Sequence, residues 1–221
     1  MVKPALVEHR PWLFGSLIAA IAYYFLWNNP IGGLWLILLK GGGAGLLAIY
    51  AWRRTDSFDG LILAGVFVVA AVADMAIELS LELGGSLFAV SHLLATGFYV
   101  RNRRPETALS QKGLAIILLT VTPLVSYGLS LRVDIAAYAG VLGLMAAAAW
   151  MSRFPRFRVG IGALLFVISD WLIFSRFGPV DMGTIPDILV WPIYYAGQFM
   201  IATGVVQTLR FEAGRGEKPA A

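Results

Sequence analysis

The chain is dominated by apolar runs, each about long enough to cross a lipid bilayer. A helix rises 1.5 Å per residue, so about 20 apolar residues span roughly 30 Å of hydrocarbon. Eight stretches fit this template, over residues 11–27, 31–52, 60–80, 85–100, 112–131, 133–151, 157–177 and 186–209. The breaks carry loop chemistry: Asn28-Asn29-Pro30, residues 53–59, Gly84-Gly85, residues 101–105, Phe154-Pro155 and residues 178–186. The expected fold is an all-α membrane protein, a single domain of eight transmembrane helices, ending in a polar flexible tail over residues 213–221. The first run lacks a clear small-residue cleavage site and is followed by further spans, so it reads as a retained helix.

Composition agrees. Of the 221 residues 59% are hydrophobic and 14% charged, with a mean hydropathy of +0.77. A soluble chain of this length has too little interior to hide that much apolar surface. Disorder, coiled coil, collagen and a nucleic-acid-binding body are excluded. The chain has no cysteine and only two histidines, His9 and His92. Disulfides, a thiol nucleophile and the usual His- or Cys-rich zinc site drop out with them.

The net charge of +4 has a topological meaning. With the N-terminus cytoplasmic, every basic residue but three falls in an inside segment. Arg132 and Arg176 fall outside, and Lys40 lies within a span. This bias predicts both termini in the cytoplasm. The compactness points to a bacterial inner membrane.

Charged groups at bilayer depth are costly and mark function. This sequence places Lys40, Asp74, Glu78, His92 and Asp170 within or at the ends of its spans, with Tyr194, Tyr195 and Gln198 as polar companions. Counting 1.5 Å per residue puts groups from five helices in one layer between the outer surface and the bilayer middle. Such clustering predicts one buried polar cavity open toward the outer leaflet. Within it Lys40 either neutralises an aspartate or holds a phosphate. Asp74 and Asp170 are either catalytic or ion-paired with Lys40. Glu78, one turn beyond Asp74, is either a site group or a solvated mouth residue, and Glu82 reads as loop. His92, Tyr194, Tyr195 and Gln198 each have a plainer reading as hydrogen-bonding glue between helices.

Gly41-Gly42-Gly43 and Gly45 follow Lys40 and predict close helix packing or room for a ligand. The GxxxxGK[ST], GxSxG and HExxH motifs are absent. Residues 67–74 and 163–170 are apolar runs that each end in Asp, and each precedes a span with one polar side chain, His92 or Gln198. That pattern is what two parallel four-helix halves would give.

Several of these residues sit in motifs that resemble a known family. Gly162-Ala163-Leu164-Leu165-Phe166-Val167-Ile168-Ser169-Asp170 resembles the GA-x-LF-x-x-SD segment of the YhhN-type lysoplasmalogenases, and Arg176-Phe177 continues it. Tyr194-Tyr195-Ala196-Gly197-Gln198 resembles their YY-x-x-Q segment. Ala73-Asp74 stands where the family has Gly-Asp, Phe88 to His92 matches F-x-x-x-H, and Lys40 stands where the family has Lys-Pro. Gly41, Ala73 and Ala95 depart from the pattern. The resemblance implies an eight-span hydrolase of the vinyl ether bond in lysoplasmalogens, acting without metal or other cofactor. The implied partners are a lysophospholipid substrate and membrane lipid.

Vinyl ether cleavage needs a carboxylic acid to protonate the β-carbon and a second carboxylate to stabilise the cation and activate water. Two carboxylates in a low-dielectric cavity can divide those roles. The residues allow either order; we take Asp170 as the acid and Asp74 as the base. His92 then relays protons or orients water. Tyr194, Tyr195 and Gln198 position the substrate, Lys40 binds phosphate or sets the carboxylate charge, and Glu78 contributes to binding. The same cluster would also suit a proton- or ion-coupled transporter of a small molecule or lipid, or a structural subunit with internal ion pairs.

Overall fold

The structure is a computed structural model that describes residues 10–28 and 33–215. Among the described residues the regular structure is helical, with no strand beyond a single bridge between Arg103 and Ser152. The helices are α1 (Arg10–Leu26), α2 (Gly33–Arg54), α3 (Phe58–Ile77), α4 (Leu81–Arg101), α5 (Leu109–Ser130), α6 (Val133–Met151), α7 (Ile161–Phe174) and α8 (Ile185–Arg215). A π-helical turn, Arg156–Gly160, leads into α7, and a 3-10 turn, Ser175–Phe177, continues it. Seven helices are long and apolar enough to cross a membrane; α1 is apolar but has 17 residues.

The sequence boundaries need three corrections. Gly84-Gly85 is not a break, and Glu82 is not in a loop. The turn lies one step earlier, where Ser80 caps α4 by accepting a hydrogen bond from the Leu83 amide at 3.3 Å. A serine cap satisfies one of the open amides of the first turn, so the helix begins before its glycines. Ala213, Gly214 and Arg215, read from the sequence as tail, belong to α8, and residues 216–221 lie outside the described residues. Asn29 and Pro30 also lie outside them.

Short turns make consecutive helices antiparallel, so the bundle has two distinct ends. At one end Asp59, buried at the start of α3, accepts from Arg101 at 3.2 Å and from Arg153 at 3.4 Å. Arg153 also donates to Asn102 at 2.7 Å and to Glu212 of α8. One carboxylate thereby fastens α3, α4, the α6–α7 link and α8 together. The opposite end carries the α3–α4, α5–α6 and α7–α8 turns.

Small residues set the helix contacts, as membrane packing requires where lipid supplies no hydrophobic drive. A Cβ on Gly197 of α8 would lie 2.6 Å from the Gly162 carbonyl oxygen of α7, and one on Gly162 would lie 2.8 Å from that of Gly197. The two backbones touch. The glycine run of α2 is also a packing device. A Cβ on Gly41 would meet Met75 at 2.5 Å, and one on Gly43 would touch the Tyr195 ring at 3.5 Å.

Two stability outcomes follow. Gly197→Val should cost about 1–3 kcal/mol by overpacking, read as a lower melting temperature in detergent. Gly140→Ala, where nothing lies within 4 Å of the added carbon, should not. Asp59→Asn should also lower the melting temperature, because it strips two arginines of a buried anion, a change that costs up to about 3–5 kcal/mol.

Candidate active site

A cavity of about 860 Å³ opens at the end of the bundle opposite Asp59. Its walls bring together Lys40, Asp74, Glu78, Asp170 and Tyr194, residues from α2, α3, α7 and α8 and from the α3–α4 turn. Of the groups that helix rise puts in one layer, Lys40, Asp74 and Asp170 share this space. Three more tyrosines line it, Tyr23 and Tyr24 of α1 and Tyr138 of α6.

Each aspartate is buried and held by a tyrosine from another helix. Tyr194 donates to Asp74 Oδ2 at 2.7 Å, and Tyr138 donates to Asp170 Oδ2 at 2.9 Å. Behind each tyrosine stands a second polar group. The Gln198 amide, one turn along α8, donates to the Tyr194 hydroxyl at 3.1 Å. His92 Nε2 lies 3.1 Å from the Tyr138 hydroxyl. His92 is 2% exposed and is not among the cavity-lining residues. It reaches the cavity only through Tyr138.

Lys40 does not pair with either aspartate. Its ammonium contacts Glu78 Oε1 at 2.6 Å, and the same oxygen accepts from Tyr23 at 2.7 Å. The ammonium also lies 5.2 Å from the Tyr23 ring centre and 5.9 Å from that of Trp191. Glu78 follows the last turn of α3, so the lysine stem of α2 reaches along the wall toward the mouth. Lys40 and Glu78 thus form one partly buried unit on the Asp74 side of the cavity.

An aromatic wall separates the two carboxylate units. Phe166 packs edge-on against Tyr194 at 5.0 Å and against His92 at 4.8 Å. Phe88 contacts Tyr194 at 5.8 Å and Phe166 at 5.9 Å. Trp191 closes the side toward α1 and anchors its indole N–H on the Ala20 carbonyl at 2.9 Å. A site with apolar walls and a few convergent polar groups is the usual form of a pocket for a small amphipathic ligand.

Tyr195 is not part of this cavity. Its hydroxyl shares a 2.7 Å hydrogen bond with Ser16, which donates in turn to the Gly43 carbonyl, so Tyr195 fastens α8 to α1 and α2. Successive residues on a helix point about 100° apart, and Tyr194 takes the inward direction. Tyr138 is the functional residue that sequence reading missed. The available signal was depth. Tyr138 lies about 8 Å beyond the start of α6 by helix rise, in an otherwise alanine-rich stretch. Among the described residues no three His, Asp or Glu side chains converge as a metal site would require.

Comparison with known proteins places the chain. The YhhN family profile matches residues 35–205. Lysoplasmalogenase TMEM86A of Bos taurus is 29% identical over 239 aligned positions, covering 94% of this chain and 95% of that protein. No solved structure matches. The matched segment contains both aspartates, both of their tyrosines and His92, and this chain belongs to the YhhN family.

Proposed function

We propose that the protein is a membrane hydrolase that cleaves the vinyl ether bond of a lysoplasmalogen, or of a related lysophospholipid, to a fatty aldehyde and a glycerophospho head group. The observation that carries this reading is the pair of tyrosine-held aspartates lining one apolar-walled cavity. The relative from Bos taurus, a lysoplasmalogenase by name, supports the reaction class. All eight helices cross the bilayer in this reading, α1 included. The arginine-rich end faces the cytoplasm, the cavity opens outward, and the membrane is a bacterial inner membrane.

The two aspartates take different roles because different groups stand behind their tyrosines. Asp74 leads through Tyr194 to an amide. Gln198 donates to Tyr194, so the tyrosine proton points at Asp74 and Asp74 is an acceptor. Asp170 leads through Tyr138 to an imidazole, which can give or take a proton at Nε2. Hydrogen bonds along that line can therefore reverse. Asp170 is the acid and Asp74 the base.

The proton of Asp170 goes to the β-carbon of the vinyl ether, whose π electrons form the new C–H bond and leave an oxocarbenium ion. Asp74 takes a proton from water as its oxygen adds to that cation. The hemiacetal hydroxyl then gives up its proton as the C–O bond to glycerol breaks, the glycerol oxygen takes up a proton in exchange and leaves as a hydroxyl, and the aldehyde departs. The proton taken up at Asp74 and the one spent by Asp170 balance over the cycle. Tyr138 and His92 supply the route by which Asp170 is reloaded, and Tyr194 with Gln198 holds the base and the water. Lys40 and Glu78 fix the charge beside Asp74.

Aldehyde release from a lysoplasmalogen by purified protein in detergent is the test. Asp74→Asn and Asp170→Asn should each lose about 10²–10⁴ in turnover, the range of a positioned acid or base, with the melting temperature retained. Full activity in both variants would overturn the assignment. A folded wild-type protein that releases no aldehyde, yet carries a solute across liposomes under a pH gradient, would make the cluster a transport relay. A second measurement separates the two carboxylates. Tyr138→Phe and His92→Gln should alter the limb of the pH–rate profile that reports the acid, and Gln198→Leu should alter the other. Identical profile changes in all three would remove the distinction between acid and base.

A further inference from the structure

We propose that Arg132 and Arg176 form the phosphate-binding clamp of the cavity mouth, taking the phosphodiester of a lysolipid while its chain enters between the aspartates. This deepens the reading above and rests on it for the lipid. These two arginines are the only basic residues that the charge pattern leaves at the mouth end, and both line the cavity.

The local structure brings the two turns that carry them together. Arg132 caps α6 at the α5–α6 turn, and its guanidinium lies 5.9 Å from the Phe177 ring centre, next in sequence to Arg176. The two turns are locked together by backbone. A Cβ on Gly178 would fall 1.9 Å from the Leu129 carbonyl oxygen, so the chain after Phe177 lies directly on the end of α5. Leu131, which ends α5 in a left-handed conformation with φ 54°, turns Arg132 toward that contact.

Each guanidinium rests on an exposed carboxylate. Arg132 donates to Asp134 through Nε at 3.1 Å and Nη2 at 2.5 Å, and Arg176 donates to Asp187 through Nη2 at 2.7 Å. All four side chains are between 43% and 64% exposed, and solvent-exposed pairs of this kind contribute little. Among the described residues no hydrogen bond occupies Nη1 of Arg132 or Nε and Nη1 of Arg176. Two planar guanidinium groups match the oxygens of a phosphodiester, which they bind by paired charge-assisted hydrogen bonds. Lys40 is the weaker candidate. It is 12% exposed and already committed to Glu78.

The spacing suits a lysolipid. Arg176 lies six residues beyond Asp170, and Arg132 six before Tyr138, a rise of about 9 Å in each case. That is on the order of a glycerol backbone with its phosphate ester. Phosphate held at the mouth therefore sets the sn-1 ether linkage at the depth of the carboxylates.

The test uses the full chain in detergent and Arg132→Gln/Arg176→Gln. A saturated 1-O-alkyl lysophospholipid, which has no vinyl ether to cleave, serves as the binding probe. Its affinity should fall at least tenfold in the double variant at an unchanged melting temperature. Among cleavable lipids, the ratio of kcat/KM for the lysoplasmalogen over the phosphate-free alkenylglycerol should fall by a similar factor. Undiminished probe affinity, or an equal loss on both lipids, would overturn the clamp. Displacement of the probe by millimolar inorganic phosphate would make the pair a free-anion site and overturn the lipid assignment. Wild-type protein that turns over neither lipid, with affinity still lost in the double variant, would overturn the hydrolase reading and leave the clamp standing.

Discussion

A carboxylate buried inside a membrane bundle must be hydrogen-bonded by the protein or be neutral, because burial strips most of its hydration. The helices are arranged around that requirement. Asp74 of α3 is held from α8, and Asp170 of α7 from α6, with α4 behind it through His92. The mouth unit adds Tyr23 of α1 and Lys40 of α2 around Glu78. Even α5 is fastened, by the Trp171 indole donating to the Thr122 carbonyl at 3.3 Å. Satisfying the cavity groups and fixing the register of the helices are one act. A helix that slid by one turn would strand a buried polar group.

Close backbone contact makes this register rigid. Gly162 and Gly197 abut, and Gln198 and Tyr194 lie one and three residues from that point on α8. Asp170 lies eight residues from it on α7, about 12 Å along the axis. The same glycine contact therefore sets the placement of Asp170 on one helix and of Tyr194 and Gln198 on the other. A side chain at either glycine would move both. At the other end of the bundle, Asp59 with Arg101 and Arg153 fixes the helix ends without touching the cavity. That leaves the mouth end free to carry exposed, weakly paired charges.

Much of this was legible in the sequence because helix rise is invariant. Counting residues from the span ends put Lys40, Asp74, His92, Asp170, Tyr195 and Gln198 in one layer; Lys40, Asp74 and Asp170 line the cavity, whereas His92, Tyr195 and Gln198 do not. Partners were less legible, since they depend on side-chain reach and on which helices adjoin. Lys40 passes both aspartates and meets Glu78, because its long stem extends toward the mouth. Tyr138 was invisible for another reason: a tyrosine near a helix end reads as an interfacial anchor. Tyr195 was included by its depth, although depth along a helix does not fix which way a side chain faces.

The neighbour relations among helices have the pattern that two parallel halves would give. α3 packs on α4 as α7 packs on α8, and α4 packs on α6 as α8 packs on α2. The match is incomplete, since α2 lies along α3 far more fully than α6 lies along α7. Within this frame Asp74 corresponds to Asp170, and the one-turn pair Phe88 and His92 of α4 corresponds to Tyr194 and Gln198 of α8. The difference at these positions is chemical. Tyr194 has a hydroxyl to give to Asp74, whereas Phe88 has none to give to Asp170. Asp170 must take its hydrogen bond from Tyr138 on α6 instead, and that detour brings His92 into line behind it. Two carboxylates in similar frames thereby acquire unlike surroundings, one ending in an amide and the other in an imidazole. Unlike hydrogen-bond surroundings emerge from a near-symmetric pair when a single phenyl ring replaces a phenol and redirects where one aspartate finds its donor.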